Sequence, residues 1–89
     1  MAAGDHRVAT AHFDAARAGF REIGNRDGEA ESLSALGRVA WAQGRPDLAR
    51  ARWQAALVRY QEIGSGSVAM VRDLLRQLPP DPPAATAPV

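Results

Sequence analysis

An internal repeat with a period of forty residues constrains the fold of this chain more than any other sequence feature. A shift of forty positions aligns Gly4–Gly24 with Gly44–Gly64, and eight of these 21 positions are identical. Alanine matches carry little weight in an alanine-rich chain, but both copies also end in Glu-Ile-Gly. The similar pairs are Val8 and Leu48, Phe13 and Trp53, and Phe20 and Tyr60. A period near forty predicts a stacked solenoid of helical hairpins.

Apolar residues recur at spacings of three and four along most of the chain, which predicts four amphipathic helices. The expected helices cover about residues 5–23, 28–43, 46–63 and 67–78, so the folded domain is residues 5–78. The third helix repeats the first. The second and third helices therefore form one complete hairpin, preceded by the second half of an earlier hairpin and followed by a capping helix.

Polar and glycine-containing segments mark the expected ends of the helices. The glycines expected to end helices are Gly24, Gly44 and Gly64. The expected N-caps are Asp5, Asp27 and Ser67. We expect residues 1–4 to fray, and we expect residues 79–89, which are rich in proline and alanine, to be disordered.

The complete hairpin resembles the tetratricopeptide repeat family. That family has a large residue followed by Leu-Gly three and four positions later, then an alanine, an aromatic residue and a second alanine in the next helix. The matching core positions here are Leu33, Leu36, Gly37, Ala49, Trp53 and Ala56, with Tyr60 one helical turn further on. The resemblance implies an all-α fold in which antiparallel helical hairpins stack as a short right-handed α-solenoid of about four helices.

The chain departs from the family pattern in two respects. The usual aromatic residue in the middle of the first helix of the hairpin is replaced by Ala40. Trp41 either takes over its packing role or faces the ligand groove. The unit is also longer than the family's usual ~34 residues. Lengthened units of this kind are similar to the C-terminal repeats of bacterial NTPase-type transcriptional regulators, which implies a role in transcriptional regulation. The N-terminus lacks the apolar core of a secretory signal, so we expect a cytoplasmic protein.

The resemblance also implies where a partner would bind. In this family the first helix of each hairpin lines a groove that holds a peptide or protein. Carried onto this chain, the groove residues are Glu31, Ser34, Arg38, Trp41 and Ala42, with Arg45 at the edge. Arg38 has the forked donor geometry that suits a carboxylate, or else it is a solvated residue paired with a neighbouring acid. The chain has no lysine, so we do not predict the family's clamp for a C-terminal carboxylate.

Composition and spacing argue against several other classes of function. His6 and His12 are six residues apart and so lie on different faces of one helix, which disfavours a metal pair. No residue set resembles a catalytic site, and we predict no metal, no cofactor and no enzymatic activity. No apolar run is long enough to span a membrane. A formal net charge of +1 argues against a nucleic-acid surface.

The sequence therefore predicts a non-catalytic protein-interaction module that forms the C-terminal end of a longer repeat array in a regulatory protein. The alternative is a small homodimer that acts as an adaptor or as an accessory to a transcriptional regulator. In either case the first helix should present an apolar face for self-association or for further repeats. A less favoured alternative is nucleic-acid binding through scattered arginines, namely Arg17, Arg21, Arg50, Arg52 and Arg59.

Overall fold

The computed structural model describes residues 3–79, and side chains from Asp5 onward. This part of the chain consists of four α-helices joined by short turns and contains no strand: α1 (Ala3–Glu22), α2 (Arg26–Ala42), α3 (Pro46–Glu62) and α4 (Ser67–Gln77). The all-α prediction is confirmed. Residues 3 and 4, expected to fray, belong to α1. The expected disorder of the proline-rich tail falls almost entirely outside the described residues. None of the described helices combines the length and hydrophobicity needed to cross a bilayer.

The first three helices end in the same way, at glycines spaced twenty residues apart. Gly24, Gly44 and Gly64 adopt φ angles of 75°, 73° and 66°. The N–H of the residue after each glycine donates to the carbonyl five residues earlier, at 2.8–2.9 Å. Each glycine N–H donates to the carbonyl three residues earlier, at 3.0–3.2 Å. This pair of bonds is the Schellman motif, and its left-handed residue favours glycine because a Cβ would be strained there.

The helix starts differ from those predicted. α1 begins before Asp5, so Asp5 lies inside its first turn. Asn25, not Asp27, caps α2, because its Oδ1 accepts a hydrogen bond from the Gly28 N–H at 2.8 Å. Ser67 is the first residue of α4, and its own N–H donates to Oγ of Ser65 at 3.0 Å. The prediction of these three caps was wrong: Asp5 lies two residues inside α1, and the N-cap positions of α2 and α4 are displaced by two residues and one residue from Asp27 and Ser67.

The core lies between α2 and α3. All seven residues of the family signature are buried, and they belong to the same interior as Ala30, Ala40, Val71 and Leu78. The closest contact is between Gly37 and Trp53: a Cβ on Gly37 would lie 2.2 Å from the indole Nε1. That nitrogen donates to the backbone carbonyl of Ser34 at 3.0 Å. A mid-helix glycine that costs about 1 kcal/mol in helix propensity thus allows a buried tryptophan to pack and to be hydrogen-bonded.

The repeated helices α1 and α3 are buried to different extents. In α3 the residues Ala49, Trp53, Ala56 and Tyr60 are at most 3% exposed. Their counterparts forty residues earlier, Ala9, Phe13, Ala16 and Phe20, are only half-buried. The cause is the number of neighbouring helices, because α3 packs between α2 and α4, whereas α2 is the only described helix against which α1 packs extensively. One side of the α1 stripe is therefore not covered by any of the described residues.

Candidate functional site

A groove of about 500 Å³ runs along one face of α2, and we refer to it as the α2 groove. Its floor consists of Glu31, Ser32, Ser34, Ala35 and Arg38. One wall is formed by Phe13 and Phe20 of α1, and the other by Tyr60 of α3 together with Ser67 and Met70 of α4. All four helices thus contribute to it, and its volume is within the usual range for ligand sites.

The helical period explains why the floor residues share a face. Positions 31, 34, 35 and 38 are spaced by three and four, so they stack one above another along α2. The opposite face of α2, which includes Leu33 and Leu36, is buried in the core. At the start of the helix the Phe20 ring lies against Gly28, where a Cβ would come within 2.5 Å of it. The small residue therefore lets the aromatic wall approach the floor closely.

The polar groups of the α2 groove are incompletely satisfied. The Ser34 hydroxyl is buried and has no hydrogen-bond partner among the described residues. The Arg38 guanidinium is exposed, and its Nη2 lies 4.0 Å from Sδ of Met70. Within residues 3–79, no carboxylate is at ion-pair distance from Arg38. The interpretation that Arg38 pairs with a neighbouring acid is therefore wrong within residues 3–79, where its hydrogen bond is the weak one to the Met70 thioether.

Tyr60 adds a buried phenol to the wall of the groove. Its burial raises the pKa of the hydroxyl above the ordinary value, and the Glu31 carboxylate raises the pKa further. A hydrogen bond with Ser67 opposes this shift in pKa. The neutral hydroxyl is therefore the form present over the physiological range, which keeps this wall of the groove uncharged.

The structure brings together only part of the groove predicted from the sequence. Glu31, Ser34 and Arg38 line it, but Trp41, Ala42 and Arg45 do not. Trp41 is 48% exposed, so the interpretation that it replaces the missing core aromatic is wrong. Arg45 lies in a separate depression with Arg7 and Asp14.

The sequence interpretation missed the residues that form the walls. Those residues come from α1, α3 and α4, whereas the predicted groove was built from α2 and its following turn alone. The sequence did contain an indication of the aromatic wall. Phe13 and Phe20 align with the core residues Trp53 and Tyr60, but the first helix was expected to lack one neighbouring helix, so these two rings could remain partly exposed. Neither histidine lines the groove. In the part of the chain that the structure describes, no group of three His, Cys, Asp or Glu side chains could hold a metal ion.

The α2 groove thus offers aromatic and thioether surface, an exposed guanidinium and an exposed carboxylate. These groups suit the binding of a polypeptide, which presents backbone polar groups and apolar side chains together. Comparison with known proteins adds one finding: a family model described as tetratricopeptide repeat matches residues 1–69. No curated protein and no solved structure matches the chain.

Proposed function

Because this chain belongs to the tetratricopeptide repeat family, we propose that it is a non-catalytic protein-interaction module whose α2 groove binds a peptide segment of a partner protein. The observation that carries the proposal is the exposed Arg38 guanidinium, which lines the groove beside aromatic and thioether surface and has no carboxylate at ion-pair distance within residues 3–79. A polypeptide can supply a carboxylate or carbonyl acceptor together with an apolar side chain, which suits these groups.

The lining indicates the chemistry of the bound segment. An apolar side chain would pack between Phe13 or Phe20 on one wall and Met70 on the other. A carboxylate or backbone carbonyl would accept hydrogen bonds from Arg38. A segment that combines an apolar anchor with an acidic residue a few positions away fits these groups.

Selection from a display library of random twelve-residue peptides, followed by affinity measurements on the enriched sequences, tests the proposal. Arg38→Ala should weaken binding by about ten- to a hundredfold, since a hydrogen bond to a charged group is worth ~1.5–3 kcal/mol. Arg45→Ala is the matched control, because Arg45 is exposed and lies outside the groove. Peptides that bind the Arg38→Ala protein as tightly as wild type would refute the assignment of the site.

We also propose that the module is the end of a longer repeat array in a bacterial, cytoplasmic regulatory protein. The uncovered stripe on α1 supports this, because its counterpart in α3 is fully covered by helices on two sides. The similarity of the lengthened units to the repeats of NTPase-type transcriptional regulators supports the regulatory context. The alternative is a homodimer in which the same stripe of each copy covers the other.

Light scattering over a hundredfold concentration range separates these two arrangements. A homodimer that buries the stripe should dissociate when Val8, which is 69% exposed on α1, is replaced by glutamate. Val58→Glu, at a 48% exposed valine of α3, is the matched control. A monomer of 9.5 kDa at every concentration would contradict the homodimer. A dimer that persists in the Val8→Glu protein would show that the interface lies elsewhere.

A further inference from the structure

Four arginines that are scattered in the sequence border a second groove, between α1 and α3. Arg17 and Arg21 lie on its α1 side, and Arg52 and Arg59 lie on its α3 side. We refer to this site, which has a volume of about 590 Å³, as the arginine groove. Its α2 residues, Glu29 and Leu33, are on the opposite face of that helix from the floor of the α2 groove. The two grooves are therefore separate surfaces.

The arginine groove is strongly positive for a chain that is nearly neutral. It is lined by four arginines and one glutamate, a net charge of +3, whereas the whole chain has a formal charge of +1. The single glutamate is already engaged, because Oε1 of Glu29 lies 3.6 Å from Nε of Arg59. Arg59 also pairs with Glu62 at 2.8 Å. The local acids therefore neutralise only one of the four guanidinium groups.

The other three guanidinium groups have no acidic partner. Among residues 3–79, no carboxylate lies within ion-pair distance of Arg17, Arg21 or Arg52. The Nε–H of Arg17 is buried and donates to no acceptor among the described residues. Like charges held close together without counter-charges repel one another, and an acidic ligand would relieve that repulsion.

The α3 side of the arginine groove also carries an apolar strip beside Arg52 and Arg59. It consists of Leu48, Ala51, Ala55 and Val58, which are spaced by three and four along α3. Val58 is 48% exposed, and Leu48 and Ala55 are half-buried. The strip extends over about 15 Å, which is close to three turns of a helix.

We propose that the arginine groove binds an acidic amphipathic helix of a partner protein, about three turns long. The apolar face of such a helix would lie on the strip from Leu48 to Val58. Its carboxylates would reach Arg17 and Arg21 on one side and Arg52 on the other. Docking an amphipathic helix by its apolar face is a common recognition mode, and opposite charges at the rim fix its orientation.

The lining favours a polypeptide over a nucleic acid. Single-stranded nucleic acids bind through phosphate contacts combined with base stacking on aromatic side chains. No aromatic residue lines the arginine groove, and much of its α3 wall is an apolar strip that offers no polar contact to a phosphate backbone. Arg50, the remaining arginine considered for nucleic acids, lies elsewhere, with its Nη2 donating to the Pro79 carbonyl.

Fluorescence anisotropy with a dye-labelled fourteen-residue peptide tests the proposal. The peptide carries leucines on one helical face and glutamates on the flanks. A scrambled peptide of the same composition and a labelled oligothymidine serve as competing probes. We expect the amphipathic peptide to bind, with an affinity that falls as added salt screens the charges. The Arg17→Gln, Arg52→Gln double variant should bind the peptide about tenfold more weakly than the wild type does.

The control is the Arg72→Gln, Arg76→Gln double variant, which removes the same charge from the exposed face of α4. Val58→Asp should also abolish binding, and since this residue is half-exposed the fold should be retained, as circular dichroism would verify. The proposal would be overturned if the two double variants lost the same affinity for the amphipathic peptide, or if the scrambled peptide bound as tightly as the amphipathic one. Tighter binding of the oligothymidine than of the peptide would assign the groove to nucleic acid instead. None of these variants touches the α2 groove, so either site can fail without the other.

Discussion

Replacing Gly37 with alanine should destabilise the fold, although alanine is the better helix former. Helix propensity alone would favour the variant by ~1 kcal/mol. The new Cβ, however, would lie 2.2 Å from Nε1 and 2.4 Å from Cδ1 of Trp53, so the indole would have to move. That movement breaks the 3.0 Å hydrogen bond to the Ser34 carbonyl in a site where Trp53 is 3% exposed.

The magnitude follows from these opposing effects. A buried N–H left without a partner costs roughly 1–3 kcal/mol, and overpacking a well-packed site costs roughly 1–3 kcal/mol. After subtraction of the gain in propensity, the expected net loss in the free energy of unfolding is about 1–5 kcal/mol, centred near 3 kcal/mol. For a domain of this size each kcal/mol shifts Tm by roughly 4–8 °C. Thermal unfolding followed by circular dichroism should therefore show a clear decrease in Tm.

Gly19→Ala is the matched control for this prediction. Gly19 also lies within a helix, but a Cβ there would meet no atom within 4 Å. The same substitution should therefore stabilise the chain, by ~0.5–1 kcal/mol. If both variants change Tm in the same direction, the proposed contact between Gly37 and Trp53 does not govern the packing of α2 on α3. A Trp53→Phe substitution in the Gly37→Ala protein should recover part of the loss, because phenylalanine is smaller and has no N–H to leave unpaired.

Two further predictions concern helix capping and pH. Asn25→Ala should lower the free energy of unfolding by ~1 kcal/mol, because it removes the acceptor for the Gly28 N–H. Asp27→Ala should cost less than half as much in the same urea titration, and equal costs would contradict the assignment of Asn25 as the cap. Burial raises the pKa of Tyr60 above its unfolded value of 10.0, so its contribution to stability is complete below about pH 10 and is lost as the pH rises through the folded-state pKa. Tyr60 is the only tyrosine, so absorbance titration reports it directly, and an equal alkaline loss of stability in Tyr60→Phe would refute this origin.

The hairpin of α2 and α3 could be predicted from the sequence because its determinants are local. Gly37 and Trp53 lie on consecutive helices joined by one short turn, so the helical period alone indicates that they face each other. The glycine at each helix end is likewise recognisable because a left-handed residue is required there. These features depend on neighbours a few residues away, where sequence patterns carry the most information.

Features that depend on lateral packing could not be predicted in the same way. Sequence alone did not identify Met70 or Tyr60 as walls of the α2 groove, since their position depends on how α3 and α4 pack beside α2. The four arginines of the arginine groove also appear evenly distributed along the chain. They converge because α1 and α3 carry them on facing sides, which only the three-dimensional arrangement reveals.

The identical ends of the first three helices have a consequence for how such a protein can change in length. Gly24, Gly44 and Gly64 turn the backbone through the same left-handed conformation at intervals of twenty residues. Two successive helices with their turns make up one forty-residue repeat, and this pair is the unit that can be added or removed. Insertion or deletion of one such pair would lengthen or shorten the stack and leave the contacts of the remaining helices unchanged. A gain or loss of one residue inside a helix would instead rotate every later side chain of that helix by about 100° relative to its neighbours.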